Sequence, residues 1–321
     1  MTISWYPGHM FKANKEMAKI IKEIDVIIEI LDARMPAASA NPLLKQMRGD
    51  KPCLRILNKA DMAQPDVTRL WLTYLNSQPN CRAIANGTDI KLETDAIINQ
   101  LELLTGASGH KRGKKQAMIV GIPNVGKSTL MNQISGRKIA RTGNEPAVTK
   151  GQQRIKLNDN WYLHDTPGVL WPKLEDQKAA YRLACAGAIR NTAMEFEDVA
   201  MFAAEFLLRD FPERLRKRYN MDELPAQPDQ FLEKLALSKR YTKGGHVDWH
   251  RISELLLHEL RSGKLGRISL EFPPAASAAP IAPEVPDTPA TPESPATPEP
   301  TATPESTATP ESTATPESPE T

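Results

Sequence analysis

The sequence is poor in cysteine and aromatic residues and has no long apolar run. Cys53, Cys81 and Cys185 are its only thiols in 321 residues, and no two form a CxxC-type pair. This excludes a disulfide-built scaffold and argues against a cysteine metal site, and it is the usage of a reduced, cytoplasmic protein. No stretch of eighteen apolar residues occurs, and the opening MTISWYPGHMFK lacks a hydrophobic signal region. Neither a membrane span nor a secretory leader is therefore expected. Positive charge is missing from one place in particular. Between Pro273 and Thr321 there is no Lys or Arg, but there are 8 acidic residues and 14 of the 27 prolines, with TATPES repeated three times over 301–318. Such a segment cannot bury enough apolar surface to offset its ordering entropy, so residues 273–321 are predicted to be a disordered acidic tail. The remaining 1–272 carry 41 basic against 31 acidic residues, a net +10 hidden within the overall +2. A basic body favours an anionic partner such as RNA.

Within the body, short apolar runs alternate with helical periodicity. Asp25–Leu31, Cys53–Leu57, Ala117–Gly121, Arg154–Leu157 and Trp161–His164 read as buried strands. Met10, Ala13, Met17, Ile21 and Ile24 recur at helical spacing, and Asp66 opens a second amphipathic stretch. That alternation predicts an α/β fold with a mostly parallel sheet over 1–178. After Lys178 the pattern becomes purely helical, with five segments predicted up to Arg261, so 179–272 is expected to be a small all-α domain.

Gly121-Ile-Pro123-Asn124-Val125-Gly126-Lys127-Ser128 satisfies G-x-x-x-x-G-K-[ST] between a predicted strand and a helical run that begins at Thr129. Backbone N–H groups of such a loop wrap phosphate oxygens at a helix N-terminus. Lys127 is the predicted partner of the β/γ-phosphates and Ser128 a predicted Mg²⁺ ligand. Asp165-Thr-Pro-Gly168 follows a strand further on, where Asp165 can hold the Mg²⁺ shell and Gly168 can offer its N–H to the γ-phosphate. Thr149 lies on the loop between them, at the position of a γ-phosphate-sensing switch threonine that also reaches the metal.

Asn58-Lys59-Ala60-Asp61 supplies base recognition. A carboxylate accepts two hydrogen bonds and matches the N1–H and 2-amino donors of guanine, a pair that adenine lacks, so Asp61 selects GTP and GDP. The stem of Lys59 can lie over the base, and Asn58 can tie this loop to the phosphate loop. The order is unusual. Base recognition at 58–61 precedes the phosphate loop at 121–128, which indicates a circular permutation of the domain.

With these motifs in this order, MTISWYPGHM, DVIIEILDARMP, NKAD, GIPNVGKSTLMN, DTPGVLWPK and the terminal GKLGRISLEFP resemble the YlqF/ribosome biogenesis GTPase A type of circularly permuted GTPase. The resemblance covers about 1–273. It implies a GTPase acting late in assembly of the large (50S) ribosomal subunit, stimulated by ribosomal particles, with a C-terminal helical domain on ribosomal RNA. It implies a catalytic role for His9 of the PGHM motif, because Val169 stands where many GTPases keep a water-orienting glutamine. It also makes Asn124 a candidate K⁺ ligand beside the phosphates.

Two departures stand out. Ala147 replaces a glycine before Thr149, and the segment near Arg82–Asn86 lacks the pattern of a base-backing loop, so no role is assigned to it. The RNA face is expected among Lys111, Arg112, Lys114 and Lys115, then Arg214, Arg216, Lys217 and Arg218, Lys239, Arg240 and Lys243, and Lys264 and Arg267. The chain is expected to be a monomer off the ribosome. Two further readings remain open from the residues alone: a P-loop ATPase or kinase, and a GTP-gated RNA binder with a small-subunit or transfer-RNA client and little hydrolysis.

Overall fold

Five parallel strands and one antiparallel edge strand form the central sheet of the computed structural model. The structure describes residues 3, 6–106, 114–135, 153–172 and 174–274. The strands are β1 (Val26–Asp32), β2 (Cys53–Asn58), β3 (Cys81–Ala85), β4 (Lys115–Gly121), β5 (Gln153–Lys156) and β6 (Trp161–Asp165), in the spatial order β3-β2-β1-β4-β6-β5. Only β5 runs antiparallel, against β6. Every residue of β1 is buried, as expected for a β-branched run covered on both faces of a parallel sheet. The sequence reading missed β3, whose CRAIA alternates too weakly to stand out.

The helices are α1 (Gly8–Ile20), α2 (Pro36–Ser39), α3 (Pro42–Arg48), α4 (Pro65–Asn76), α5 (Thr94–Thr105), α6 (Lys127–Ile134), α7 (Gln177–Cys185), α8 (Phe196–Asp210), α9 (Pro212–Tyr219), α10 (Pro228–Ser238) and α11 (Trp249–Arg261). Start signals explain several of them. Asp176 accepts a hydrogen bond from Ala179 N and Asp248 one from Arg251 N, while proline opens α2, α3, α4, α9 and α10. The segment after 178 is not purely helical. A two-residue ribbon, β7 (Thr242–Lys243) with β8 (His246–Val247), turns through Gly244 and Gly245, both at positive φ. Expecting no strands there was wrong, because pairs this short have no readable period.

One apolar core runs without a break from Ile27, Ile28 and Ile119 of the sheet through Leu170 and Leu183 to Leu207, Phe231 and Leu256 of the helices. The sheet order places a topological switch point between β1 and β4. Ligands of open α/β sheets bind outside the carboxyl ends of the strands at such a point. Asp32, Asn58, Ala85, Gly121 and Asp165 end β1, β2, β3, β4 and β6 at this edge.

Candidate nucleotide site

The phosphate loop is built against the sheet by close backbone approach. A Cβ on Gly121 would lie 2.7 Å from the Ile30 carbonyl, and one on Gly126, at φ +101°, would collide with Asn58 Nδ2. Asn124 also takes positive φ, at 57°. Val125 and Pro123 are buried beneath the loop, and Thr129 is exposed on the first turn of α6. Lys127 is buried, with its Nζ donating to the carbonyls of Gly121 (2.9 Å) and Ile122 (2.8 Å). Burial, opposed by the charge of Asp165, brings its pKa down to about 8. Burial likewise raises Asp165 to about 6 against the pull of Lys127. Thr166 anchors the following turn by donating to the Ile119 carbonyl at 2.7 Å.

Gly168 faces this loop. A Cβ there would come within 2.8 Å of Lys127 Nζ and 3.0 Å of Pro123 Cα, so this approach requires glycine. Val169 is buried and its N–H donates to the Gly121 carbonyl at 3.3 Å. These cradles, with a lysine and a carboxylate held out of water, fit a phosphate chain and a divalent cation. Ser128 at the head of α6 and Asp165 are the described metal-ligand candidates; Thr149 lies outside the described residues. No clustered His, Cys, Asp and Glu set for a metal occurs among the described residues.

The base side is joined to the phosphate side by a relay of amides. Asn58 Nδ2 donates to the Val125 carbonyl (2.7 Å), and Asn86 Nδ2 donates to Asn58 Oδ1 (2.6 Å). Leu92 N in turn donates to Asn86 Oδ1 at 3.1 Å. Asn58 therefore does tie the two loops together, as its place in the motif suggested. Lys59 adopts a left-handed conformation and its Nζ reaches Asp32 Oδ2 at 3.1 Å. Arg34 grips the same carboxylate through Nε (2.9 Å) and a second nitrogen (2.8 Å). Burial alone would raise the pKa of Asp32, but Arg34 and Lys59 together hold it well below the usual range.

Sequence reasoning missed the loop after β3. Gly87 packs so closely that a Cβ would lie 2.8 Å from both Asp61 N and Asp61 Oδ1. Thr88 donates from its hydroxyl to Asp61 Oδ2 at 3.0 Å. Asn86-Gly87-Thr88 is thus the loop that backs Asp61, and the glycine after a weak strand was its available signal. Also missed was the role of residues 264–272, which strap the same region. Ile268 N donates to the Met62 carbonyl (2.8 Å), Leu270 N to the Arg34 carbonyl (2.6 Å), and Arg267 pairs with Asp89 at 2.9 Å. Glu271 accepts from Ala37 N (2.8 Å) and pairs with Arg182 (3.2 Å).

His9 lies in the first turn of α1, exposed. Its neighbour Met10 is fully buried, and the Met10 sulfur accepts from Leu170 N at 3.4 Å. Asn124 Nδ2 donates to the Gly187 carbonyl beyond α7 at 2.8 Å. Several expected RNA contacts are engaged within the chain instead. Lys115 pairs with Glu102, Arg216 with Glu213, Arg218 with Glu259 and Arg267 with Asp89. Lys111 and Arg112 lie outside the described residues.

A Walker-type loop, an Asn-Lys-Ala-Asp loop and a glycine facing Lys127, all on one sheet edge but in permuted chain order, define a circularly permuted P-loop GTPase. A family model described as 50S ribosome-binding GTPase matches residues 116–218. Ribosome biogenesis GTPase A of Bacillus cereus is 40% identical over 280 residues, 85% of this chain and 95% of that protein. That of Priestia megaterium is 40% identical over 285 residues, 86% of this chain and 99% of that protein. The fold also matches GNP-bound YlqF from T. maritima, with a TM-score of 0.58 at 24% identity over 81% of this chain and 98% of that one. The chain belongs to the ribosome biogenesis GTPase A family and is a GTP-hydrolysing enzyme.

Proposed function

We propose that the protein hydrolyses GTP during late maturation of the large (50S) ribosomal subunit and that ribosomal particles stimulate it. The observation that carries this reading is the joined site itself. Asp61, Asn58, Val125 and Lys127 link base recognition to the phosphate loop in a chain 40% identical to proteins named ribosome biogenesis GTPase A. The named relatives and the 50S ribosome-binding description of the matched family support a ribosomal partner. In this reading 1–178 is the GTPase domain, 179–272 contacts ribosomal RNA, 273–321 is a tail, and the chain is a cytoplasmic monomer when off the ribosome. No helix among the described residues is long and apolar enough to cross a membrane.

Each residue has a definite task. Asp61 reads the guanine edge, and Lys59, pinned by Asp32, presents its stem as a platform for the base. The amides of the phosphate loop and Lys127 hold the phosphates, while the Gly168 N–H meets the terminal one. Ser128, Asp165 and Thr149 would hold Mg²⁺, and Asn124 would hold K⁺ through Oδ1; the cations supply charge neutralisation of the transferred phosphoryl group. Val169 has no polar side-chain atom with which to orient water, so His9 takes that task, brought in at the end of α1.

GTP turnover measured with and without purified large subunits, in potassium and in sodium, for wild type and His9→Ala, tests the reading. Stimulation that falls in the variant while GTP binding persists supports it. Stimulation only by small subunits or free RNA rejects the client, and no turnover under any condition rejects particle-stimulated hydrolysis.

A further inference from the structure

The basic residues best placed for RNA by sequence are partly engaged in internal ion pairs, whereas four lysines on α1 and the turn that follows it are not. Lys12, Lys15, Lys19 and Lys22 are all exposed, and none forms an ion pair among the described residues. At about 100° per residue, the lysines at 12, 15 and 19 fall within about 60° of arc, on the side opposite Met10, Ala13, Asn14 and Met17. Lys12 to Lys19 span about 10 Å at 1.5 Å per residue. Glu16 and Glu23, the acidic residues of the segment, fall to one side of this crest. On its other side stands Phe11, a large ring 62% exposed. A line of unpaired cations beside an open aromatic ring is the surface that holds a phosphate backbone and stacks an unpaired base.

The inner face of the same helix touches the switch segment. Met10 Sδ accepts from Leu170 N at 3.4 Å, and Asn14 Nδ2 lies 3.5 Å from the Leu170 carbonyl. Leu170 is two residues beyond Gly168, the glycine that faces Lys127. His9 precedes Met10 on the first turn. The helix is therefore a single rigid element with an RNA-like docking face outside and the γ-phosphate segment inside.

We infer that the outer face of α1, through Phe11, Lys12, Lys15, Lys19 and Lys22, is an RNA-docking surface by which a bound particle acts on Leu170 and His9. The inference rests on the ribosomal reading above. An acidic protein surface would use the lysines but would leave Phe11 without a partner, so RNA is the fitting occupant.

Full-length protein carrying Lys12→Gln, Lys15→Gln and Lys19→Gln together, and separately Phe11→Ala, tests it by filter binding to protein-free large-subunit RNA and to purified large subunits over a salt series. Gln retains helix propensity, and unchanged GTP binding and particle-free turnover certify the fold. The triple variant is expected to bind both targets about tenfold or more weakly at 0.15 M salt, with a salt slope shallower by about 2 to 3. Phe11→Ala is expected to weaken binding to the protein-free RNA about fivefold with the salt slope unchanged. Unchanged RNA affinity and slope overturn the inference, and so does weakened particle binding with RNA binding intact, which would assign α1 to an acidic protein. If wild type binds no large subunit, the ribosomal reading fails, while the arm with protein-free RNA still decides the surface.

Discussion

The amide of Asn124 in the phosphate loop donates to the carbonyl of Gly187, beyond α7, at 2.8 Å. The end of α7 is itself held by Arg261 of α11, which donates to the carbonyls of Cys185 (3.0 Å) and Ala184 (2.8 Å). The nucleotide loop is thereby connected to the C-terminal helices by two side chains. Asn124→Gly keeps the positive φ and removes the amide. It is expected to lower stability by about 1 kcal/mol in urea unfolding and to abolish any advantage of potassium over sodium in GTP turnover. A retained potassium effect would show that the side chain serves only as the tie to Gly187.

In the proposed function Asp61 reads the base, and Thr88 holds its carboxylate. Asp61→Asn is expected to reduce GTP affinity by at least about 100-fold and to shift preference toward xanthine nucleotides, read by fluorescent-nucleotide titration. Thr88→Val removes the hydroxyl that donates to Asp61 Oδ2. The loss of that bond is expected to weaken GTP about fivefold, with no gain for xanthine nucleotides.

Gly126→Ala would force a Cβ against Asn58 Nδ2 at φ +101°. The amide relay must then break at the Val125 carbonyl. Expected outcomes are a loss of about 2 kcal/mol in stability and a fall of more than tenfold in GTP binding. Asn58→Ala should reproduce the binding loss without the backbone strain.

Asp32 is buried between Arg34 and Lys59. Removing its charge leaves two cations short of a partner, so Asp32→Asn is expected to cost about 3 kcal/mol at pH 7. Its pKa is depressed in the folded chain, because the two cations overcome the effect of burial. That contribution is therefore fully present above the unfolded value of about 4 and is lost as pH falls below it. The stability gap between wild type and Asp32→Asn should narrow when unfolding is measured at pH 3 rather than pH 7.

Much of the site was readable before any fold was known. Walker-type spacing, N-K-x-D and D-T-P-G are local patterns whose chemistry sits in adjacent residues, and their order along the chain already indicated permutation. Strands β1, β2 and β4 were equally legible because burial on both faces leaves near-continuous apolar runs. Asn86, Gly87 and Thr88 were not. Their role comes from approach to Asp61, some 25 residues earlier, and neither periodicity nor spacing encodes that distance. The strap at Ile268–Glu271 was hidden for the same reason, since its backbone bonds go to residues about 200 positions away.

Charge shows the division most plainly. Composition by itself determined that the body is basic and the tail acidic, because counting needs no geometry. Which cations remain available was decided by tertiary structure. Folding brings Arg218 to Glu259 and Arg267 to Asp89, yet leaves the lysines of α1 in solvent, because the apolar stripe through Met10 and Met17 turns the opposite face of that helix outward.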